Sequence, residues 1–401
     1  MPKLCKTCGK ESCDKHSFFL GKTINIKNFS GSTPPEIFVG KWNYPNVYTG
    51  ILSPQEHGNT EILSSSELWH KNKIPISDIL KFRNRLIYGR TQSNIKKLNT
   101  KFLSTMSEIA MTHKSVSASF FLKKPITKNL EKETRTPIIP KAAELQSAKL
   151  DENAPVKPKV DYLVNDIEVK SSNAILELHK FKIPVSTIQK VLSAGLLGLK
   201  KNRKLVPTRW SITAVDDTIS KEKLKKIKLL PEISEFQVFS ADYIGNYYNF
   251  LLLPDKYSFE VIEISIKNYG LEKGMCPERN LGFPSWQDSE TFFARKKYAD
   301  SVTGAYYANR LALTEYLEKI KRQASCLVIR EIRPQYYAPL GVGILREISR
   351  EAFSKKPNTF NTLQEALDDI QTRLKQPVSN YTQKSYLLNN QSKQKKISEF
   401  L

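Results

Sequence analysis

Strand-like runs in the second half of the chain constrain its fold most strongly. Phe236–Phe239, Tyr247–Leu253 and Ser258–Ser265 alternate or concentrate apolar residues over the length of single strands. We expect these three runs to form an antiparallel meander. Glu260 and Glu263 lie three residues apart in the last run. On a strand they therefore face opposite sides of the sheet and do not form a paired acid–base site.

Helical patterns flank these runs. Residues 291–322 predict a long helix, 324–332 a central strand and 362–374 an amphipathic helix. Earlier in the chain, residues 65–113 predict helix and 116–122 predict a strand. Because the strands cluster and helices lie on either side, the sequence predicts a mixed α+β fold with largely antiparallel sheets flanked by helices.

A pair of helix patterns separated by Pro184 has two interpretations. The patterns run over Asn173–Lys180 and Val185–Ala194. A helix-turn-helix would need polar side chains on its second helix to reach base edges. Apolar residues dominate that helix here, so a helical hairpin packed in the core is favoured.

Composition along the chain suggests five regions. A length of 401 residues is enough for about two or three domains. Prolines at five positions between 123 and 160 favour a linker or extended arm there. The predicted regions are a zinc-binding knuckle at 1–21, an N-terminal α/β region at 22–122, the linker at 123–160, a C-terminal α+β domain at 161–375 and a disordered tail at 376–401.

Three cysteines and a histidine stand close together at the N-terminus. Their spacing is Cys5-x2-Cys8-x4-Cys13-x2-His16. Two close pairs of ligands suit one tetrahedral Zn²⁺ ion, and so short a segment would depend on the metal for its folding energy. We therefore expect a structural zinc site, the alternative being incidental cysteines.

The charge balance indicates a polyanionic partner. Lys and Arg number 63 against 40 Asp and Glu, a net charge of +23, and nucleic acid is the commonest partner of so basic a chain. The strongest basic block has seven cations and no carboxylate between its ends. Its members are Lys81, Arg83, Arg85, Arg90, Lys96, Lys97 and Lys101. They are candidates for contacts with DNA phosphates, the alternative being a plain solvated surface.

Two classes of location are disfavoured. The chain has no apolar run of about 18 residues and no apolar core of a signal peptide at its N-terminus. We expect a cytoplasmic protein that does not associate with membranes.

A cation and several aromatic residues occur between two short strands predicted at 37–39 and 47–52. These residues are Lys41, Trp42, Tyr44 and Tyr48. Such a group can stack bases, and it can equally pack a turn.

The densest chemical stretch runs from 200 to 220. A basic segment, Lys200–Lys204, precedes Arg209, and Asp216 and Asp217 follow. These carboxylates could hold Mg²⁺ beside a phosphate bound by Arg209 if the protein is an enzyme. They fit a helix start equally well. Arg330 interrupts a later apolar run and is a further catalytic candidate, although no complete catalytic motif is visible.

The chain ends in a polar segment followed by an apolar plug. The pattern is Gln394-x-x-Ile397-x-x-Phe400-Leu401, and one tight helical turn would place the apolar residues on one side. The segment resembles the peptide that binds the replication sliding clamp, PCNA. That resemblance implies that Gln394 anchors the peptide while Ile397, Phe400 and Leu401 fill a pocket on the clamp.

Several stretches together resemble the archaeal Nre proteins, of the NreA type. They are the N-terminal metal cluster, Pro34–Gly40, Val206–Ile219, Arg330–Ile332 with Ala338–Gly341, and the terminal peptide. The resemblance implies a role in DNA damage repair with PCNA as partner. The family's zinc site is of a four-cysteine kind, and His16 takes the fourth position here.

Three functions fit these features. The leading one is a DNA repair factor recruited to PCNA by its terminal peptide, which binds DNA or a DNA intermediate through a basic surface. The second is an enzyme that processes a nucleotide or phosphodiester near Arg209, Asp216 and Asp217, with Lys41 or Arg330 assisting. The third is a non-catalytic scaffold that delivers another repair protein to the clamp.

Overall fold

A computed structural model describes residues 26–126, 140–266, 283–293 and 295–391. The predicted zinc ligands and the predicted clamp-binding residues lie outside these ranges. They are Cys5, Cys8, Cys13 and His16 at one end and Gln394, Ile397, Phe400 and Leu401 at the other.

The chain forms two compact units that divide between Ile219 and Ser220. Residues Ala338–Gly343 belong to the first unit and the rest of the chain after Ser220 belongs to the second. The division lies well beyond the linker predicted at 123–160.

The first unit is built on a six-stranded mixed sheet with the order β1-β5-β6-β4-β3-β2. Its strands are β1 (Asn28–Thr33), β2 (Ile37–Val39), β3 (Asn46–Ser53), β4 (Ile87–Asn94), β5 (Val116–Leu122) and β6 (Lys141–Leu150). The pair β4–β6 is parallel and the other pairs of this sheet are antiparallel. The strands predicted at 37–39, 47–52 and 116–122 are therefore confirmed.

Strand β6 corrects the predicted linker. Ala143, Leu145 and Ala148 are buried, and the strand pairs with both β4 and β5. Two of these three inward residues are alanines, which have little preference for strands. The alternating pattern was therefore too weak to mark a strand among the surrounding prolines.

Seven α-helices of the described chain begin before the division at Ser220. They are α1 (Ser66–Lys71), α2 (Ile76–Arg85), α3 (Lys101–Met111), α4 (Pro158–Asn165), α5 (Ser171–Lys180), α6 (Val185–Ser193) and α7 (Thr208–Ile227). The helix predicted over 65–113 was wrong at β4, which runs through the middle of that range. Gly89 allows β4 to approach β6 closely, since an added Cβ there would lie 3.0 Å from the Leu145 side chain.

Helix α6 is a core element. Val185, Ile188, Val191 and Leu192 are all buried, so the helix presents its apolar face to the interior. This confirms the helical hairpin and leaves no recognition helix for a helix-turn-helix.

The second unit contains another six-stranded mixed sheet, with the order β10-β9-β11-β8-β7-β12. Its strands are β7 (Phe236–Tyr243), β8 (Asn246–Leu253), β9 (Ser258–Ser265), β10 (Ser285–Glu290), β11 (Ser325–Ile332) and β12 (Asn358–Phe360). The predicted meander is right for β7 and β8 but wrong for β9, because β11 lies between β8 and β9 and runs parallel to β9. Every residue of β11 is buried, which confirms the predicted central strand and, with the first sheet, the α+β class.

Helices also flank the second sheet. They are α8 (Gly304–Ile320), α9 (Val342–Ser354), α10 (Leu363–Gln371), α11 (Ser379–Thr382) and α12 (Tyr386–Gln391). Helix α8 is shorter than the predicted range 291–322 because residues 291–293 and 295–303 form a loop after β10. Helix α10 begins at a capping box in which Thr362 and Glu365 satisfy each other's backbone N–H groups. Within the described ranges, none of the helices has the length and apolar content needed to cross a membrane.

The disordered tail predicted from residue 376 was wrong as far as Gln391. Tyr381 is buried in the core, and Glu260 of β9 accepts hydrogen bonds from the backbone of Tyr386 and Leu387 at 2.9 and 3.1 Å. Ser385 also donates to Glu260, at 2.5 Å. A buried carboxylate thus anchors a segment whose polar composition alone indicated disorder.

Candidate nucleic-acid interface

The turn between β2 and β3 presents two aromatic rings to solvent. Trp42 and Tyr44 are 65% and 44% exposed. Asn43 adopts a left-handed backbone conformation with φ of 59°, which asparagine tolerates better than most residues. Its carbonyl accepts a hydrogen bond from the backbone of Asn46 at 2.8 Å. The turn is therefore locally closed, and its rings are held outside it.

The start of α7 brings a third aromatic ring to this turn. The hydroxyl oxygen of Thr208 accepts a hydrogen bond from the backbone N–H of Val39 at 2.9 Å, which ties the first residue of the helix to β2. Trp210 is 46% exposed, and its ring centroid lies 5.4 Å from that of Tyr44. Two stretches more than 160 residues apart in sequence thus form one aromatic cluster.

The backbone of Ile95 joins two basic segments to the same place. Its N–H donates to the carbonyl of Pro45 at 3.0 Å, and its carbonyl accepts from the N–H of Leu205 at 2.9 Å. Exposed Lys96 and Lys97 follow Ile95 directly, and the segment Lys200–Lys204 ends just before Leu205. One buried residue therefore holds the aromatic turn between two groups of lysines.

Arg203 orders the second of these segments. Its guanidinium donates to the backbone carbonyls of Gly198, Val164 and Asp166, each at 2.8 Å. Burial lowers the pKa of Arg203, and nearby Asp166 opposes that shift. Arg203 is thus a structural residue, whereas Lys200, Lys201 and Lys204 are exposed.

We call the resulting region the basic-aromatic surface. Its members are Lys41, Trp42, Tyr44, Lys96, Lys97, Lys200, Lys201, Lys204, Arg209 and Trp210. Lys41 lies over the ring of Trp42 at 4.4 Å. Its cations form no ion pair with a carboxylate of the described chain, so their charge is available to a polyanion.

The other members of the predicted basic block have different surroundings. Lys81 pairs with Asp78 at 2.7 Å and Arg85 pairs with Glu56. Arg90 stacks on Tyr48 at 4.1 Å. Lys101 is exposed at the first residue of α3.

Arg83 does not belong to the exposed surface. It is buried and lies 3.8 Å from Glu36. Burial lowers the pKa of Arg83, and Glu36 opposes that effect. A phosphate cannot reach this guanidinium from outside, so Arg83 is excluded from the interface.

Asp216 and Asp217 lie in the middle of α7 rather than at a helix start, which corrects that interpretation. Asp216 is buried, and Gln189 of α6 donates to it at 3.3 Å. Arg209 lies seven residues earlier in the helix, about 10 Å along its axis. The described residues contain no group of three or more His, Cys, Asp or Glu side chains arranged for a metal ion. Asp216 is thus bonded within the helical packing of the first unit.

Arg330 is a buried structural residue of the second unit. It donates to Glu263 at 2.7 Å and also to Asn246. Burial alone would lower its pKa, but Glu263 and the neighbouring tyrosines outweigh that effect and raise it. Glu260 and Glu263 bind different partners, as expected for residues on opposite faces of β9.

The sequence did not reveal the contact between Tyr44 and Trp210. Each residue lies in a stretch that mixes aromatic rings and cations, and this shared composition was the available signal. Their proximity depends on the bonds from Val39 to Thr208 and from Ile95 to Leu205, which no local pattern predicts.

Exposed aromatic rings among cations without acidic partners define a surface of the kind used by nucleic-acid-binding proteins. The chain belongs to the archaeal Nre family. The profile for the N-terminal part of archaeal Nre matches residues 7–269, and the profile for the C-terminal part matches residues 290–400.

Curated relatives agree with this assignment. The chain is 33% identical over 395 residues to "DNA repair protein NreB" of Archaeoglobus fulgidus, covering 98% of this chain and 97% of the relative. It is 33% identical over 365 residues to "DNA repair protein NreA" of Haloferax volcanii, covering 89% and 85% of the two chains. No solved structure matches.

Proposed function

We propose that this protein is a DNA repair factor that binds DNA through the basic-aromatic surface and is recruited to PCNA by its terminal peptide. The names of its relatives support the repair role. The surface supports DNA binding because phosphates attract cations that form no ion pair with a carboxylate of the described chain.

The observation that carries the proposal is the position of Ile95. Through Pro45 and Leu205 its two backbone bonds bring the aromatic turn, Lys96–Lys97 and Lys200–Lys204 together. A solvated surface normally mixes charges of both signs to limit repulsion. The convergence of like charges around aromatic rings is instead typical of a site that a polyanion neutralises.

The DNA-binding proposal is tested with a triple variant, Lys200→Ala, Lys201→Ala and Lys204→Ala. Affinity for a DNA oligonucleotide should fall at least about tenfold, and the slope of log affinity against log salt should become shallower by up to about 3. The matched control replaces the exposed Lys71, Lys114 and Lys256 by alanine, which removes the same charge elsewhere. Equal losses in both variants would show that net charge, and not this surface, accounts for binding.

The recruitment proposal rests on the terminal peptide. Removal of residues 394–401 should abolish binding to PCNA, measured by calorimetry, and leave DNA affinity unchanged. The paired substitution Phe400→Ala and Leu401→Ala should have nearly the same effect, because these side chains supply most of the apolar area. Retention of clamp affinity after the deletion would refute this assignment.

We also propose that Cys5, Cys8, Cys13 and His16 hold a structural Zn²⁺ ion. The ligand types and spacing support this site. Purified protein should contain about one zinc ion per chain, and the paired substitution Cys5→Ser and Cys8→Ser should remove it. Zinc content by atomic absorption that is unchanged in this variant would contradict the site.

A further inference from the structure

The aromatic members of the basic-aromatic surface point to a particular form of DNA. We propose that Trp42, Tyr44 and Trp210 stack on unpaired bases, so that the surface selects single-stranded over duplex DNA. This inference rests on the proposed DNA-binding function and specifies its ligand.

The exposure of the rings is the first reason. Trp42, Tyr44 and Trp210 are each at least 44% exposed, whereas Trp69 is buried. Cations alone suffice to bind duplex phosphates, which face outward and need no aromatic partner. Aromatic rings among those cations add affinity when base faces are accessible, as they are in a single strand.

The geometry of the rings is the second reason. The centroids of Tyr44 and Trp210 lie 5.4 Å apart with the ring planes inclined by 49°. This arrangement leaves no room for a base between the rings, so a base would stack on an outer face. At Trp42, Lys41 lies over the indole at 4.4 Å, so a nucleotide that stacks on this ring has a cation beside it.

The rigidity of the support is the third reason. The N–H of Gly40 donates to the carbonyl of Tyr48 at 2.8 Å, and the turn is closed again by Asn46 and Asn43. Helix α7 is fixed to β2 by the bond between Val39 and Thr208. Because the backbone that carries the rings is already ordered, less conformational freedom is lost when a base stacks on them, which favours binding.

The arrangement of the cations is the fourth reason. Lys96 and Lys97 lie on one side of Ile95 and Lys200–Lys204 lead to its other hydrogen-bonded neighbour, Leu205. A single DNA strand whose bases stack on these rings would therefore have lysines from both Lys96–Lys97 and Lys200–Lys204 near its phosphates. Proteins that bind single strands combine a cationic path for the backbone with aromatic platforms for the bases in this way.

The test compares a deoxythymidine 16-mer with a duplex of 16 base pairs in the full-length protein. Wild type should bind the single strand more tightly. The double variant Trp42→Ala and Trp210→Ala should lose at least about tenfold in single-strand affinity while duplex affinity changes less than about twofold. Tyr162, which is 62% exposed elsewhere in the first unit, provides the control Tyr162→Ala, which should alter neither affinity.

A conservative variant adds a second readout. Trp42→Phe with Trp210→Phe keeps aromatic rings, so it should retain most of the single-strand affinity while the quenching of tryptophan fluorescence by the oligonucleotide falls sharply. Equal affinities of wild type for both DNA forms, or equal losses for both in the alanine variant, would overturn base stacking and leave DNA binding intact. Absence of binding to either form would instead overturn the proposed DNA-binding function.

Discussion

The arginines inside the second unit and the cations of the basic-aromatic surface carry the same charge in opposite surroundings. Arg310 and its partner Glu290 are each about 1% exposed as side chains and lie 2.8 Å apart. Lys96 and Lys97 are exposed and form no ion pair with another described residue. The charge of the buried arginine is neutralised within the fold, whereas the charge of the two surface lysines is available to a ligand.

This contrast shows why the net charge of +23 is a poor guide to a binding site. Arg330 interrupts an apolar strand, which made it a catalytic candidate in the sequence, yet Glu263 neutralises its charge inside the sheet. The lysines near Ile95 are unremarkable one by one. They gain significance because they form no ion pair with a carboxylate of the described residues and because aromatic rings lie in the segments bonded to Ile95.

Removal of one partner of the buried pair should have the largest effect. Arg310→Met leaves Glu290 buried without its cation, and we expect a loss of about 3–5 kcal/mol in the free energy of unfolding, measured with denaturant. Adding Glu290→Gln should recover much of that loss, because no uncompensated charge then remains and the amide oxygen can still accept the hydrogen bond that the Tyr257 hydroxyl donates to Glu290 at 2.6 Å. A double variant no more stable than the single one would show that packing, and not charge, explains the effect.

The second largest loss of stability is expected at a buried carboxylate of the same unit, Glu260. Glu260→Ala removes the acceptor for Ser385, Tyr386 and Leu387, which should cost about 1–3 kcal/mol and increase hydrogen exchange at the last two amides. Glu222→Ala, at a side chain that is 42% exposed and distant in sequence from Glu260, is the control and should leave that exchange unchanged. Unaltered protection of Tyr386 in Glu260→Ala would mean that α12 is held by its apolar contacts alone.

The next effect is smaller and concerns DNA affinity. Among lysines of the first unit, it contrasts two that form no ion pair with a described carboxylate against one that does. Lys96→Ala with Lys97→Ala should weaken DNA binding about 5- to 10-fold and reduce the salt slope by about 2. Lys81→Ala should change affinity much less, since Asp78 already neutralises that lysine at 2.7 Å. Affinities are measured by fluorescence anisotropy at several salt concentrations. A comparable loss of affinity per lysine in both variants would show that pairing with a carboxylate does not decide which lysines contact DNA.

The smallest effect is expected for an exposed ion pair of the second unit. Lys225 and Glu222 lie 2.6 Å apart on the surface of α7. Lys225→Ala should change the free energy of unfolding by less than about 0.5 kcal/mol, because water screens the pair. If Lys225→Ala lowered the free energy of unfolding nearly as much as Arg310→Met, burial would not explain why the two ion pairs differ in strength.

The sequence predicted elements with strong local patterns. The amphipathic pattern of residues 362–374 and the apolar run of residues 324–332 were both recognisable, and the structure confirms α10 and the central strand β11. Strand β6 was missed because two of its three described buried residues, Ala143 and Ala148, are alanines. The end of the chain was misjudged because its polar groups are satisfied by Glu260, more than 120 residues away in sequence.

The site was predictable only in pieces. The aromatic turn, the lysines after Ile95 and the Arg209–Trp210 stretch were each identifiable from composition. Their assembly depends on the order of strands in the sheet and on single backbone bonds such as that from Leu205 to Ile95. One sequence contains no direct record of such long-range contacts, so the surface emerges only in three dimensions.

The anchoring of α12 also limits the reach of the terminal peptide. Gln391 is the last residue of that helix, and Gln394 follows three positions later. Three residues of fully extended chain span at most about 11 Å, which is roughly one helix diameter. In the proposed complex, PCNA bound at Gln394 would therefore hold α12 and the rest of the second unit close to the surface of the clamp. The protein would then move along DNA together with the clamp, without a long tether between them.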